Sequence, residues 1–166
     1  MDLHFIHKEA IDSVLDTAKQ YRSLLEPDLA ISICLDIFAV DPDNQETLVI
    51  YILALTDTLA NYGTNNKLDK KIKSSIKKLQ SDYQQNYYQG IFYERKARTL
   101  MNHAMSSSFA YDLLLKAIEH YKKAEKLTPK NCDDAVLRYN ACVRTIDYEN
   151  LQPRQDTHDV DWYSES

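Results

Sequence analysis

The sequence predicts an all-α protein, folded as an antiparallel stack of about seven helices. Only 2 of its 166 residues are glycine and 4 are proline, which is too few for the many tight turns of an all-β protein of this length. Apolar residues recur every three or four positions along most of the chain, as on the buried face of a helix. Neither Gly63 nor Gly90 has the glycine neighbours of a phosphate-binding loop, so a Rossmann or P-loop nucleotide site is excluded.

The first three helices are predicted over residues 5–25, 29–40 and 45–62. The first ends before Pro27, because proline disfavours helical geometry in the residue that precedes it. The second ends at a turn over residues 41–44, whose acidic and amide side chains can cap the helix that follows. The third is apolar around most of its girth, and we therefore expect it to be the most buried helix.

The middle of the chain is rich in lysine and is predicted to form two helices separated by a break. Gly63 closes the third helix in a left-handed conformation. Asn65 opens a fourth helix, which carries six lysines over residues 67–78. The polar stretch that follows predicts a break near Asn86, before a fifth helix begins.

Two more helices are predicted in the C-terminal part. Serines at positions 106–108 cap a sixth helix that ends near residue 127. A proline turn follows, and then a seventh helix over residues 132–150. Residues 1–154 are therefore predicted to form one helical domain, and the polar, acidic residues 155–166 a C-terminal tail.

Charge is distributed unevenly along the chain. Residues 1–62 hold three basic and eleven acidic groups, whereas residues 63–154 hold seventeen basic and ten acidic groups, and the tail holds four acidic groups. This asymmetry predicts either a face for a charged partner or head-to-tail self-association. With a pI of about 5.5, the chain is not expected to bind nucleic acid.

The N-terminal residues do not resemble a secretory signal, and no uninterrupted apolar run is long enough for a membrane-spanning helix. A cytoplasmic location without a membrane span is therefore expected. The three cysteines, Cys34, Cys132 and Cys142, are widely spaced and form no metal-ligand or redox pattern. Neither a metal nor a cofactor is expected.

Two stretches of the chain resemble tetratricopeptide repeats, in which paired helices pack through small and aromatic residues. In one stretch the matching positions are Gly90, Tyr93, Ala117, Tyr121, Ala124 and Pro129. In the other stretch they are Val14, Ala18, Tyr21, Ala30 and Pro42. Small residues let the two helices approach, and the aromatic ring fills the space beside them. The pattern departs from such repeats in an insertion between Tyr93 and Ala117 and in residues 45–86, where the small–aromatic ladder is missing.

The resemblance implies a superhelix with a concave groove, lined by the first helix of each pair. The residues placed on this groove are Tyr93, Arg95, Arg98, Arg138, Tyr139, Asn140 and Arg144. Arginine and amide donors suit carboxylates, and the tyrosines would supply apolar contacts. The alternative is that the arginines form ion pairs within the chain, with Glu94, Asp133, Asp134 or Asp147 as partners.

The acidic tail holds a second motif, in which Trp162 and Tyr163 follow Asp159 and Asp161. An aromatic pair among acidic residues is a feature of short linear binding motifs. The tail is predicted either to dock in the groove of this chain or of a neighbouring copy, or to be a frayed end.

The predicted function is non-enzymatic: a protein–protein interaction module or adaptor that binds an acidic or extended peptide in the groove. The five histidines are scattered, and no nucleophile or carboxylate pair has the setting that catalysis requires. One alternative is a small acidic chaperone for a secreted or assembling client. Another is that the lysine-rich helix binds nucleic acid or a membrane surface, unless its lysines form a solvated outer face.

Overall fold

A computed structural model describes residues 1–63, 65–101 and 107–154. Its helices are Ile11–Ser23 (α1), Pro27–Val40 (α2), Gln45–Tyr62 (α3), Asn66–Ile76 (α4), Asp82–Met101 (α5), Ser107–Lys126 (α6) and Asp134–Tyr148 (α7). A single 3-10 turn, Lys8–Ala10, precedes α1. These residues include no strand, and the predicted all-α class is confirmed. The predicted acidic tail, residues 155–166, lies outside the described residues.

The helices stack in chain order, and neighbours in sequence are neighbours in space. Helix α1 packs on α2, α2 on α3, α5 on α6 and α6 on α7, while the contact of α3 with α5 joins the two halves. The short α4 packs against both α3 and α5. One apolar core lies among α1 to α5, and a second lies among α5, α6 and α7. Helix α3 buries ten of its 18 residues, which confirms that it is the most buried helix.

Side-chain caps and glycine set several of the helix ends as the sequence predicts. Asn44 accepts a hydrogen bond from the backbone N–H of Thr47 at 2.9 Å, and Asn65 accepts one from Leu68 at 2.8 Å. Each side chain satisfies a backbone donor that has no partner within its helix. Gly63 follows α3 with a φ of 70°, in the left-handed region that favours glycine.

The predicted break near Asn86 is wrong, because α5 begins at Asp82 and continues through that residue. The interruption instead covers residues 77–81. Leu79 is buried there, and its carbonyl accepts a 2.7 Å hydrogen bond from the Gln85 side chain. The polar stretch around Asn86 is therefore a helix surface, and one of its glutamines stabilises the turn before it.

Other helix ends differ from the predictions by a few residues. Helix α1 begins at Ile11 rather than at residue 5, and α2 begins at Pro27, two residues earlier than expected. Proline suits the first helical position, since it has no N–H to leave unpaired. Helix α7 is shorter than predicted at both ends and covers Asp134–Tyr148. None of the described helices is both long and apolar enough to cross a membrane.

Candidate functional site

A groove of about 770 Å³ opens between the end of α1, the start of α2, the second half of α3 and the last turns of α5. Arg22 reaches it from α1, Asp57 from α3, and Arg95 and Arg98 from α5. Arg95 and Arg98 lie three residues apart, so both side chains emerge on the same face of α5. Three guanidinium groups therefore share one groove with a single carboxylate.

Asp57 holds two of these arginines in place. Its Oδ2 accepts a 2.7 Å hydrogen bond from Nε of Arg22, and its Oδ1 accepts one from Nη1 of Arg95. Nη1 of Arg95 also lies 2.6 Å from the hydroxyl oxygen of Thr56 and 3.1 Å from the carbonyl oxygen of Leu53. Burial lowers the pKa of Arg95, and the charge of Asp57 opposes that effect. The cluster orients Arg22 and Arg95 at the wall of the groove.

A second carboxylate, Glu94, lies behind the groove and is only 2% exposed. It accepts hydrogen bonds from the Tyr121 hydroxyl at 2.7 Å, from Arg98 at 2.7 Å and from Arg138 at 3.3 Å. Burial raises the pKa of Tyr121, and the negative charge of Glu94 raises it further. Since these three donors satisfy Glu94 from α5, α6 and α7, the cluster joins those helices and orients Arg98.

Arg98 is the most accessible cation of the groove, with 55% of its side chain exposed. In the described part of the chain it forms one hydrogen bond, through Nη2 to Glu94. A guanidinium carries five N–H donors, and the rest of them can bind another acceptor. Its position suits the recognition of a carboxylate that enters the groove.

An apolar edge borders the groove at the turn between α1 and α2. Leu25 lines the groove with 84% of its surface exposed, and Pro27 lies beside it. Close by, Leu29 and Tyr62 are also exposed, and the Tyr62 hydroxyl donates a 2.6 Å hydrogen bond to Asp28. These exposed side chains can pack against an apolar group of a ligand that enters the groove.

Leu25 also has a backbone φ of 61°, in the left-handed region that a leucine rarely adopts. Hydrogen bonds from the N–H groups of Leu25 and Glu26 to the carbonyls of Arg22 and Tyr21 close this turn. These two hydrogen bonds form a Schellman motif, which ends a helix with a left-handed residue that is usually glycine. Here it places an exposed leucine directly at the groove.

The structure separates Tyr93 from the arginines with which it was predicted. Its ring stacks on His120 of α6, with centroids 5.6 Å apart. The ammonium groups of Lys73 and Lys116 lie 5.6 and 5.8 Å from the same ring. Tyr93 and Arg95 are two residues apart on a helix, which places them on opposite faces.

The predicted site residues on α7 also lie away from the groove. Tyr139 packs against the second core with the ammonium of Lys122 5.6 Å from its ring, and Asn140 is half-buried. Arg144 is exposed and forms no ion pair with the described residues. Helix α7 packs on α6, whereas the groove lies beside α1, α3 and α5. Of the predicted residues, the groove thus brings together Arg95 and Arg98, with Arg138 joined to Arg98 through Glu94.

Sequence reasoning missed three contributors to the groove, Arg22, Leu25 and Asp57. Asp57 carried a usable signal, since it is the only charged residue among the apolar positions of α3 after its first turn. A charge in such a position is rarely buried without a partner. Arg22 carried a weaker signal, because it is one of only three basic residues in residues 1–62. The other predicted motif, Trp162 with Tyr163, lies outside the described residues.

The lysines of α4 lie outside both cores. Ile72 and Ile76 are buried on one face of that helix, and the exposed face carries Lys67, Lys70, Lys71 and Lys73. Lys96 of α5 forms an ion pair with Asp69 of α4. Among the residues that the structure describes, no cluster of three or more His, Cys, Asp or Glu side chains is arranged to hold a metal ion.

Comparison with protein-family models, with curated proteins and with solved structures finds no match for this chain. The resemblance to tetratricopeptide repeats therefore stays a prediction from residue pattern.

Proposed function

We propose that this chain is a non-enzymatic interaction module, which binds an acidic, extended segment of another protein in the groove between α1, α3 and α5. The observation that carries the proposal is the convergence of Arg22, Arg95 and Arg98 on a groove that holds one carboxylate, Asp57. With Arg138 and Glu94 behind the groove, four guanidinium groups face two carboxylates. This surplus of positive charge attracts carboxylates, and the half-buried setting strengthens each interaction.

The three arginines have different roles in this proposal. Arg95 is held by Asp57, Thr56 and Leu53, so it sets the local charge and the shape of the wall. Arg22 donates to Asp57 through Nε, and its two terminal nitrogens form no hydrogen bond with the described residues, so they can pair with a carboxylate of the ligand. Arg98, exposed and joined to Glu94, is the donor that a ligand reaches first.

Apolar contacts supply the second part of recognition. Leu25 and Pro27 line one side of the groove, and Leu59 and Ala60 of α3 line its floor. A ligand that carries one large apolar or aromatic side chain among its acidic residues would bury this edge. Such anchors contribute most of the affinity in peptide complexes, while charges steer association and select the partner.

The test is a selection of peptides from a random display library against the full chain. We expect the selected peptides to be enriched in Asp and Glu, with an aromatic or large aliphatic residue among them. Binding of a labelled selected peptide is then measured by fluorescence anisotropy for the wild type and for Arg98→Gln. Glutamine keeps an amide that can donate to Glu94, so the fold is retained while the guanidinium is lost.

We expect Arg98→Gln to weaken binding about tenfold, since one charge-assisted hydrogen bond contributes roughly 1.5 kcal/mol. The matched control is Arg144→Gln, an exposed arginine on α7, and it should leave the affinity unchanged. A selection that yields basic peptides, or an affinity that depends on Arg144 and not on Arg98, would overturn the proposal. Loss of binding on Lys70→Gln instead would favour the lysine-rich helix.

A further inference from the structure

The last described residue, Arg154, lies beside the start of α6. Leu151 is buried in the second core, and the guanidinium of Arg154 lies 5.1 Å from the ring centroid of Phe109, in the first turn of α6. Helices α5 and α6 are connected by only five residues, and Glu94 of α5 contacts Tyr121 of α6. The two helices are therefore antiparallel. The start of α6 is therefore next to the end of α5, where Arg98 lines the groove.

The tail is also long enough to reach the groove. Twelve residues, 155–166, follow Arg154, and an extended segment of that length spans up to about 40 Å. Packed helices lie about 10 Å apart, so a path across α6 and α5 requires only about 20 Å. Five extended residues bring Asp159 about 17 Å from Arg154, and the length of the arginine side chains covers the rest, so residues 159–166 can lie in the groove.

The chemistry of the tail complements that of the groove. Its acidic residues are Asp156, Asp159, Asp161 and Glu165, and they flank the pair Trp162-Tyr163. The groove offers three guanidinium groups and an exposed apolar edge. Carboxylates pair with arginine, and an aromatic ring packs on leucine and on the face of a guanidinium.

We propose that residues 155–166 are an intramolecular ligand of this groove, with the carboxylates of Asp159 and Asp161 on its arginines and Trp162 against Leu25. The inference rests on the proposed function, because it names the occupant of the same site. A tether of this length gives the tail an effective concentration in the millimolar range. The tail then competes with any external acidic segment, and the chain regulates its own binding site.

Trp162 is the only tryptophan among the 166 residues, so its fluorescence reports on the tail in the intact chain. We expect its emission to be blue-shifted relative to a free peptide of residues 155–166 and its quenching by neutral acrylamide to be several-fold weaker. The double variant Arg22→Gln/Arg98→Gln should restore the quenching of the free peptide. Arg144→Gln is the matched control and should change nothing. Circular dichroism checks that both variants keep their helices.

Salt and tail variants add independent readouts. At 1 M salt the Debye length falls to about 3 Å. Trp162 should then become as accessible to acrylamide as it is in Arg22→Gln/Arg98→Gln. Asp159→Asn/Asp161→Asn should release the tail without any change in the helical domain. If Trp162 stays as protected at 1 M salt and in these variants as it is in the wild type at low salt, the inference is overturned.

Four further outcomes are decisive. If Trp162 of the wild type is quenched as strongly as the free peptide, the tail does not occupy the groove and the inference fails. Protection that rises with protein concentration would overturn the intramolecular contact in favour of a second copy. If library peptides bind in an Arg98-dependent manner while Trp162 is accessible, only this inference fails. If Trp162 is protected in the wild type and no external peptide binds even to Asp159→Asn/Asp161→Asn, whose tail is released, only the proposed function is contradicted.

Discussion

The ring of Tyr121 on α6 lies directly against the backbone of Gly90 on α5. A Cβ atom at position 90 would lie 2.5 Å from Cε1 of that ring. Tyr121 is fully buried, and its hydroxyl donates a 2.7 Å hydrogen bond to Glu94, one turn further along α5. The ring is thus held from both sides, and α5 and α6 can approach this closely because residue 90 has no side chain.

Gly90→Ala is therefore expected to destabilise the protein, although glycine to alanine inside a helix is favourable by about 1 kcal/mol on propensity alone. We expect the clash with Tyr121 to reverse that sign and to lower the free energy of unfolding by about 1–3 kcal/mol. Urea denaturation measures the change. If the ring is the cause, the loss should shrink in a Tyr121→Leu background, and an equal loss in both backgrounds would contradict this explanation.

The second prediction concerns Asp57, which accepts hydrogen bonds from Arg22 and Arg95. Asp57→Ala leaves two partly buried guanidinium groups without their carboxylate, and we expect it to lower the free energy of unfolding by about 2 kcal/mol. The exposed pair of Asp16 with Lys19 is the control. Asp16→Ala should change the stability by less than about 0.5 kcal/mol. Equal effects in chemical denaturation would show that the Asp57 cluster contributes no more than a surface ion pair.

Leu25 carries the third prediction, because its positive φ strains a residue whose side chain is almost fully exposed. Leu25→Gly removes the strain and should raise the free energy of unfolding by up to about 1 kcal/mol. The same change removes an apolar contact from the groove, so binding of a selected peptide should weaken. Asn150→Gly, at a φ of 48°, is the control with a smaller gain, since asparagine tolerates that conformation. Unchanged binding would remove Leu25 from the site.

The fourth prediction is a pH dependence that arises from two buried thiols. Burial raises the pKa of Cys34 and that of Cys142 from 9.0 to about 12. Between those values the folded state keeps protons that the unfolded state has lost, so the free energy of unfolding must fall as the pH rises above about 9. Urea denaturation between pH 8 and 10 measures the slope, which should diminish in Cys34→Ala/Cys142→Ala. A slope that is equal in that variant would contradict the assignment.

A fifth prediction concerns the reactivity of the third cysteine, Cys132, towards a thiol reagent. It is half-buried, and its sulfur lies 3.4 Å from the hydroxyl oxygen of Tyr83. Cys34 and Cys142 are buried among apolar residues. A thiol reagent near neutral pH should therefore label Cys132 first, as peptide mass spectrometry would show.

Most of the fold could be predicted from the chain alone, because helix ends and apolar stripes are local properties. The bounds of α3, Gln45–Tyr62, agree with the prediction at both ends, since Asn44 caps the helix and Gly63 closes it. The break before α5 lies earlier in the chain than predicted, and one of the contacts that stabilise it is not local. Gln45 of α3 accepts from the N–H of Gln80 at 2.9 Å, and that contact spans 35 residues.

The groove was predicted only in part, for a similar reason. The sequence predicts Arg95 and Arg98 as groove residues because of their donors and because the resemblance places their helix on the groove, and they lie together at the groove that the structure shows. Arg22 and Asp57 come from two other helices, and nothing near them in sequence pairs them. Tyr93 was grouped with these arginines by proximity in sequence, but a two-residue step turns a helical side chain to the opposite face.

Composition, periodicity and capping residues are enough to specify helices, since hydrogen bonding and burial along one helix depend on residues a few positions apart. They account for the all-α class and for the lysine-covered surface of α4. The tertiary structure decides which charges form pairs, because an ion pair such as that of Arg95 with Asp57 depends on how α3 and α5 pack against each other. Packing also decides that Glu94 is buried among donors from three helices while Arg98, one turn away, is exposed at the groove.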